Sequence, residues 1–212
     1  MSMHDTATIT CPECGQTGKM GIWPTLNVSL DPDMKDRVLD QSLFRRTCES
    51  CHHVAHVFFR MLYHDMDTHT MVWLVEPDAE TDEIQHVLSS LPFGSQNYRL
   101  RIVRSINELV EMVMMIDANL NDLAIQVIKF GIMSNEDAPE GPWYFEGIDP
   151  KPGQRLMRFS SPTAGVSCQI PLDQDFDELA TSFATYDRSE TWIEATPEYV
   201  LSVLEETMEA RH

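Results

Sequence analysis

Two pairs of cysteines with the same internal spacing constrain this chain more than any other feature. Each pair has two residues between its thiols, Cys11 with Cys14 and Cys48 with Cys51. One tight turn can aim both sulfurs of such a pair at a single metal ion, and a second turn completes a tetrahedral four-sulfur site. The spacing therefore predicts one structural Zn²⁺ bound by all four cysteines, with no position left for a substrate water.

The two turns differ in the residue that follows the second cysteine. Gly15 accepts a left-handed backbone without steric cost, whereas His52 adopts the same conformation only with some strain. In such a turn the backbone N–H groups point at the thiolates. We therefore expect two knuckles of one shape, of which the second is strained.

Disulfides and a redox motif are the alternatives for the same cysteines. Disulfides persist in oxidising compartments, but no hydrophobic signal segment is seen near Met1, so a reducing cytoplasm is the expected location. A thioredoxin-like motif needs one Cys-x-x-Cys that opens a helix, whereas this chain has two in turn-like contexts. Zinc is favoured, and a disulfide, a redox motif and another metal all stay open. The fifth cysteine, Cys168, lies in an alternating segment and is expected to be a buried, inert thiol.

The charge of the chain narrows its possible partners. Lys and Arg number 15 against 34 Asp and Glu, which gives a formal net charge of −19. Binding to a phosphate backbone needs concentrated cations, so nucleic acid is disfavoured as a partner. No apolar run approaches the roughly 20 residues of a membrane helix, so no membrane partner is expected. An acidic surface can bind a basic partner protein or simply keep the protein soluble.

Hydrophobic periodicity predicts an α+β protein in two parts. The first part is an antiparallel zinc-ribbon sheet with a helical extension, over residues 1–134, and the second is a small acidic α+β domain over 143–212, after a linker at 135–142. Predicted strands span 6–10, 22–30, 43–47, 54–63, 70–75, 98–103, 143–148, 155–159 and 166–172. Predicted helices span 32–39, 82–91, two amphipathic segments within 105–131, a segment opening at Asp175, and 197–209.

One cluster outside the cysteines carries side chains of catalytic type. Tyr63, His64 and Asp65 are consecutive, and a histidine beside tyrosine and aspartate can shuttle protons. No serine or cysteine nucleophile is tied to them by spacing. We expect a strand-end turn in which His64 and Asp65 bind backbone groups. The alternative is an enzyme with an inter-domain site that adds Glu108 or Glu111 as an acid–base partner.

The ordered motifs of the N-terminal part resemble the CpXC family of bacterial and archaeal proteins. The matching stretches are Cys11–Gly15, Asn27–Asp33, Leu43-Phe44, Cys48–Cys51, Leu62–Met66, Tyr98–Val103 and Glu108-Leu109. The second knuckle departs from the family pattern, which usually has proline and glycine where this chain has Glu49 and His52. The resemblance covers about residues 8–132 and implies a zinc ribbon in a bacterial cytosol, without implying an activity.

The expected function follows from the closed metal site and from the lack of a convincing catalytic constellation. We expect a zinc-binding, non-enzymatic protein-interaction or adaptor module with one structural Zn²⁺. The first alternative is the enzyme that uses Tyr63, His64 and Asp65. The second is a nucleic-acid-binding zinc ribbon, which the net charge disfavours.

Overall fold

The structure, a computed structural model, describes residues 2–80, 97–151, 153–188 and 191–209. The chain divides into two compact units, Met1–Gly94 with Arg101–Val110 and Ser95–Leu100 with Glu111–His212. Helices and strands are both abundant, and the α+β class is confirmed. The predicted domain division, with its linker at 135–142, stays a prediction. The helix predicted over 82–91 lies outside the described residues.

The first unit contains a mixed sheet and a separate hairpin. Its elements are β1 (Met3–Thr10), β2 (Thr17–Asn27), α1 (Asp33–Leu39), a 3₁₀ turn (Ser42–Phe44), β3 (Arg45–Thr47), β4 (Val54–His56), β5 (Met61–Asp65), β6 (Thr70–Leu74) and the end of β7 (Arg99–Val103). The sheet has the strand order β1-β2-β5-β6-β7, and β3 pairs with β4. β2 is antiparallel to β1 and parallel to β5, which it meets only through Thr25–Asn27.

Two predicted strands differ from the observed ones. The strand predicted over 22–30 stops at Asn27, because its carbonyl accepts the N–H groups of Leu30 and Asp31 in a turn, which leaves Leu30 61% exposed. The strand predicted over 54–63 is two strands. Its first part, β4, pairs with β3, and its second part, β5, joins the larger sheet beside β2 and β6.

The core of the first unit lies on β5 and β6. Met61, Tyr63, Val72 and Leu74 are all fully buried on these neighbouring strands. All five residues of β6 are buried, and burial on both faces explains why its last four residues form a continuous apolar run rather than an alternating one. β1 is largely exposed, and β2 is buried only at its last two residues. The hairpin of β1 and β2 therefore has few core contacts of its own.

The second unit combines helices with a small antiparallel sheet. Its elements are α2 (Ile106–Asp117) from Glu111 onward, α3 (Asp122–Met133), β8 (Tyr144–Lys151), β9 (Gln154–Ser161), β10 (Val166–Pro171), α4 (Gln174–Ser182), α5 (Ala184–Asp187), β11 (Ile193–Glu194) and α6 (Pro197–Glu209). The sheet order is β10-β9-β8, and α3 packs against α4 and α6. Across the described ranges, no helix combines the length and apolarity needed to span a membrane.

Local capping signals account for the helix starts. The Ser105 hydroxyl accepts the Glu108 N–H at 3.2 Å, while the Glu108 carboxylate accepts the Arg104 N–H at 2.7 Å. These two bonds form a capping box in which the glutamate accepts from the residue before the N-cap serine instead of from the serine itself. The Asn121 side chain accepts the Ala124 N–H at 3.0 Å and starts α3. The two predicted amphipathic helices and the break between them are therefore confirmed.

Candidate metal centre

The first knuckle connects β1 to β2. The Cys11 N–H donates to the Gln16 carbonyl at 2.9 Å, and the Gly15 N–H donates to the Cys11 carbonyl at 3.0 Å. Gly15 has a φ of 72°, in the left-handed region that glycine adopts without a Cβ penalty. This turn places Cys11 in a buried position and leaves Cys14 exposed.

The second knuckle connects β3 to β4 and repeats the same hydrogen bonds. The Cys48 N–H donates to the His53 carbonyl at 2.8 Å, and the His52 N–H donates to the Cys48 carbonyl at 2.9 Å. His52 has a φ of 58°, so the predicted left-handed conformation at this histidine is confirmed. Cys48 is buried and Cys51 is exposed, as in the first knuckle.

The two knuckles bring four sulfur atoms to one point. Cys11 Sγ lies 3.6 Å from Cys51 Sγ, and Cys14 Sγ lies 3.7 Å from Cys48 Sγ. All four sulfurs lie within 4.8 Å of one another, so they can hold a metal ion. In a tetrahedron with metal–sulfur bonds of about 2.3 Å, the ligands stand about 3.8 Å apart. The residues present therefore fit a four-coordinate ion.

The electrostatics of the centre also favour a cation. The N–H groups of Cys51 and Ser50 donate toward the Cys48 sulfur and lower its pKa to about 6. The His53 N–H acts in the same direction on Cys51, but the neighbouring sulfurs of Cys14, Cys11 and Cys48 raise its pKa to about 12. Four adjacent thiolates repel one another, and a bound dication removes that repulsion.

The geometry of the four cysteines differs from that of a disulfide and from that of a thioredoxin-like redox motif. All five cysteines of the chain are free, and the short sulfur contacts join different knuckles rather than the two cysteines of one motif. A disulfide needs sulfurs about 2.05 Å apart. Neither Cys-x-x-Cys motif opens a helix, which a thioredoxin-like arrangement requires.

Asp65 and His64 lie at the end of β5, away from solvent. The Asp65 carboxylate accepts the N–H groups of Asp67 and Thr68 at 3.0 and 3.1 Å, so the predicted backbone-binding turn is confirmed for this residue. His64 Nδ1 lies 3.4 Å from the side-chain nitrogen of Asn27. Burial lowers the pKa of His64 below its ordinary value, although Asp65 acts in the opposite direction. Tyr63 is fully buried.

The two glutamates considered as acid–base partners both have other contacts. The Glu108 carboxylate accepts the Arg104 N–H at the start of α2. In the second unit, Glu111 is bound by Lys129 and by the N–H of Phe145, both at 2.7 Å. These hydrogen bonds give each carboxylate a structural role.

Asn27 was not predicted as an organising residue. It is 1% exposed, and its side chain accepts the Ser29 N–H while donating to Met66 Sδ and facing His64. A short-range signal was present, because an asparagine side chain often binds the backbone N–H two residues further on in a turn. Its link to the end of β5 joins residues far apart in sequence, which local patterns do not reveal.

Comparison with known proteins agrees with this geometry. A family model described as CpXC protein matches residues 9–129, which is more than half of the chain. The chain belongs to the CpXC family. Both knuckles, Asn27 and the end of β5 lie inside the CpXC match, whereas β8 and everything after it lie outside. No curated protein and no solved structure matches this CpXC protein.

Proposed function

We propose that this CpXC protein is a zinc-stapled, non-enzymatic adaptor of a bacterial cytoplasm. The observation that carries the proposal is the convergence of four cysteine sulfurs from two hairpin tips, all within 4.8 Å of one another. Four protein ligands complete a tetrahedral shell, so the ion has no open position for substrate or water. An ion of this kind stabilises a fold and does not perform chemistry.

Zinc is the metal that this ligand set favours. Thiolates are soft ligands, and a tetrahedral four-sulfur shell is typical of zinc or of iron–sulfur chemistry. Zinc has no redox chemistry and no geometric preference from d-electrons, which suits a purely structural role. Reduced thiols at this site also support a cytoplasmic location, where disulfides are rare.

The adaptor role rests on the distribution of charge. From Leu172 to the C-terminus the sequence has eleven acidic residues, opposed only by Arg188 and Arg211. Most of the described members, including Asp173, Asp175 and Glu198, are exposed. An exposed, single-sign surface attracts an oppositely charged partner and accelerates association with it. We propose that the C-terminal region docks a basic protein.

Affinity capture with the full chain tests the adaptor role. The comparison bait carries Asp173→Asn, Asp175→Asn, Glu198→Gln and Glu205→Gln, all at exposed positions of the second unit. The matched control carries Asp33→Asn, Asp36→Asn, Asp67→Asn and Asp78→Asn, all at exposed positions of the first unit. We expect a stoichiometric protein partner with the natural chain and the control, and its loss with the comparison bait. Equal capture by both variants, no partner at all, or a nucleic-acid partner contradicts the proposal.

A further inference from the structure

One arginine side chain connects the two hairpins that carry the knuckles. Arg46 is the middle residue of β3, in the hairpin of β3 and β4, and Gly18 is the second residue of β2, opposite Ile9 on β1. A Cβ added to Gly18 would stand 2.9 Å from Arg46 Cζ and would overlap one of its terminal nitrogens. The guanidinium therefore occupies the space in which a side chain of residue 18 would begin.

The alternation of burial places this contact on the same faces as two of the cysteines. Along β3 and into the second knuckle, exposed residues alternate with half-buried Arg46 and buried Cys48. Along β1 and into the first knuckle, half-buried Ile9 and buried Cys11 alternate with exposed residues in the same way. Residues two apart in a strand, and residues directly opposite on paired strands, share a face. Arg46 thus shares a face with Cys48, and Gly18 shares one with Cys11.

The charge of Arg46 has no carboxylate partner. The residue is half-buried, and within the ranges that the structure describes its side chain forms no hydrogen bond and no ion pair. A partly desolvated cation is stabilised by negative charge nearby. The four converging cysteines can supply that charge, because four thiolates around one Zn²⁺ retain two negative charges in excess.

We propose that Arg46 is the counter-charge of the metal centre and that Gly18 positions it there. Arg46 is a positioning residue and not a ligand, since it acts through the thiolates whose excess negative charge it offsets. It thereby raises the affinity of the four cysteines for Zn²⁺. The inference rests on the proposed zinc site and deepens it, because it names a residue outside the ligand set that tunes metal binding.

Four single variants separate charge from packing. Arg46→Met keeps an aliphatic stem without the charge, and Arg46→Lys keeps the charge without the planar guanidinium. Gly18→Ala displaces the guanidinium, which is the flexible end of its side chain, and alanine is tolerated because the φ of Gly18 is not positive. Lys19→Met is the matched control, because Lys19 is an exposed cation beside Gly18 whose side chain points to the opposite face.

Competition with a chromophoric chelator at fixed pH measures the Zn²⁺ affinity of each full-length variant. We expect Arg46→Met and Gly18→Ala to lower it about three- to tenfold, less than the loss of a group hydrogen-bonded to a ligand. Arg46→Lys should stay within about twofold of the natural chain, since the charge is retained. Lys19→Met should bind as tightly as the natural chain.

Two further readouts distinguish a counter-charge from a purely structural role. The difference between the natural chain and Arg46→Met should shrink as salt rises from about 0.1 to 1 M, because ions screen the arginine. With Co²⁺ in place of Zn²⁺, the absorption of a tetrahedral four-thiolate site should be the same in both chains. A changed cobalt spectrum, or a difference that salt leaves intact, would assign Arg46 to packing and overturn the inference.

The affinities can also contradict the counter-charge directly. Natural affinity in Arg46→Met, an Arg46→Lys as weak as Arg46→Met, or an equal loss in Lys19→Met would each do so. Natural affinity in Gly18→Ala would overturn the role of the glycine. If the natural chain binds one zinc and Arg46→Met binds it equally well, this inference fails and the zinc-stapled adaptor stands. If the variants behave as expected but no protein partner is captured, the adaptor role fails and the counter-charge stands.

Discussion

At the scale of single residues, the two knuckles allow glycine and histidine to be compared at the same backbone position of the same turn. They share their hydrogen bonds and differ at the left-handed position, which is Gly15 in one and His52 in the other. A Cβ added to Gly15 would meet no atom within 4 Å, and His52 is exposed. Neither position is coupled to packing. Exchanges between glycine and histidine therefore report backbone strain and almost nothing else.

We predict opposite effects for the two exchanges. His52→Gly should stabilise the zinc-bound chain by up to about 1 kcal/mol, because a side chain leaves a strained conformation. Gly15→His should destabilise it by about 1–2 kcal/mol for the converse reason. Urea unfolding at saturating zinc measures both. A stabilising Gly15→His, or a His52→Gly that costs stability, would show that the histidine has a role beyond the turn.

His64 gives a prediction about pH. Its pKa is lowered in the folded chain by burial, so the folded chain binds fewer protons than the unfolded chain near pH 6. The folded chain therefore loses stability as the pH falls below about 6.5, the ordinary pKa of histidine. We expect His64→Gln to lose less stability than the natural chain between about pH 7.5 and 5.5.

Denaturation across this pH range, with zinc saturating, measures the difference between the two chains. Protonation of the cysteines affects both equally and cancels. His56→Gln, at an exposed position, is the control variant. Parallel pH profiles for the natural chain and His64→Gln would contradict the account of a buried, destabilised imidazolium.

At the scale of elements, one buried ion pair connects α2, α3 and β8. Lys129 Nζ lies 2.7 Å from the Glu111 carboxylate, with the two side chains 8% and 2% exposed. The same carboxylate accepts the Phe145 N–H, and Lys129 lies 5.5 Å from the centre of the Tyr144 ring. Glu111 thus satisfies two donors from two elements, whereas Lys129 has an aromatic ring as a second partner.

We predict that loss of the carboxylate costs more than loss of the amine. Glu111→Leu should destabilise the chain by about 3–5 kcal/mol, because it leaves a buried ammonium and a buried N–H unpaired. Adding Lys129→Met to it should recover part of that loss, since only the N–H then stays unsatisfied. Chemical denaturation of both single variants and the double variant measures the coupling. Strictly additive effects would contradict a direct interaction.

The positions of most elements were predicted from local signals, for example β6 and β7 to within one residue, whereas the pairing of the strands was not. The helix start at Ser105 follows from a side-chain cap within three residues, which the local sequence reveals, whereas the cap at Asn121 was not predicted. The break at residues 57–60 divides β4 from β5, because the two strands pair in different sheets. A local sequence pattern does not predict which strand will pair with which.

At the scale of the whole molecule, the same distinction separates the candidate metal centre from a cleft of about 670 Å³ in the second unit. The cysteines were predicted because two ligands lie in each turn, so the spacing alone carries the chemistry. The cleft joins the turn at Asn119 to Arg155 and to Asp177, and only the tertiary structure brings these together. A sequence of this kind therefore reveals candidate metal ligands before it reveals a cleft.

Metal content is the measurement that tests the central claim most directly. Native mass spectrometry of the chain, purified from zinc-containing medium without a histidine tag, should show one Zn²⁺ per chain. Cys48→Ser should abolish that mass increment and unfold at least the two knuckles, because metal binding and folding are coupled. Cys168→Ser, outside the centre, should retain the ion. A natural chain without metal, or a Cys48→Ser variant that keeps one zinc, would contradict the account.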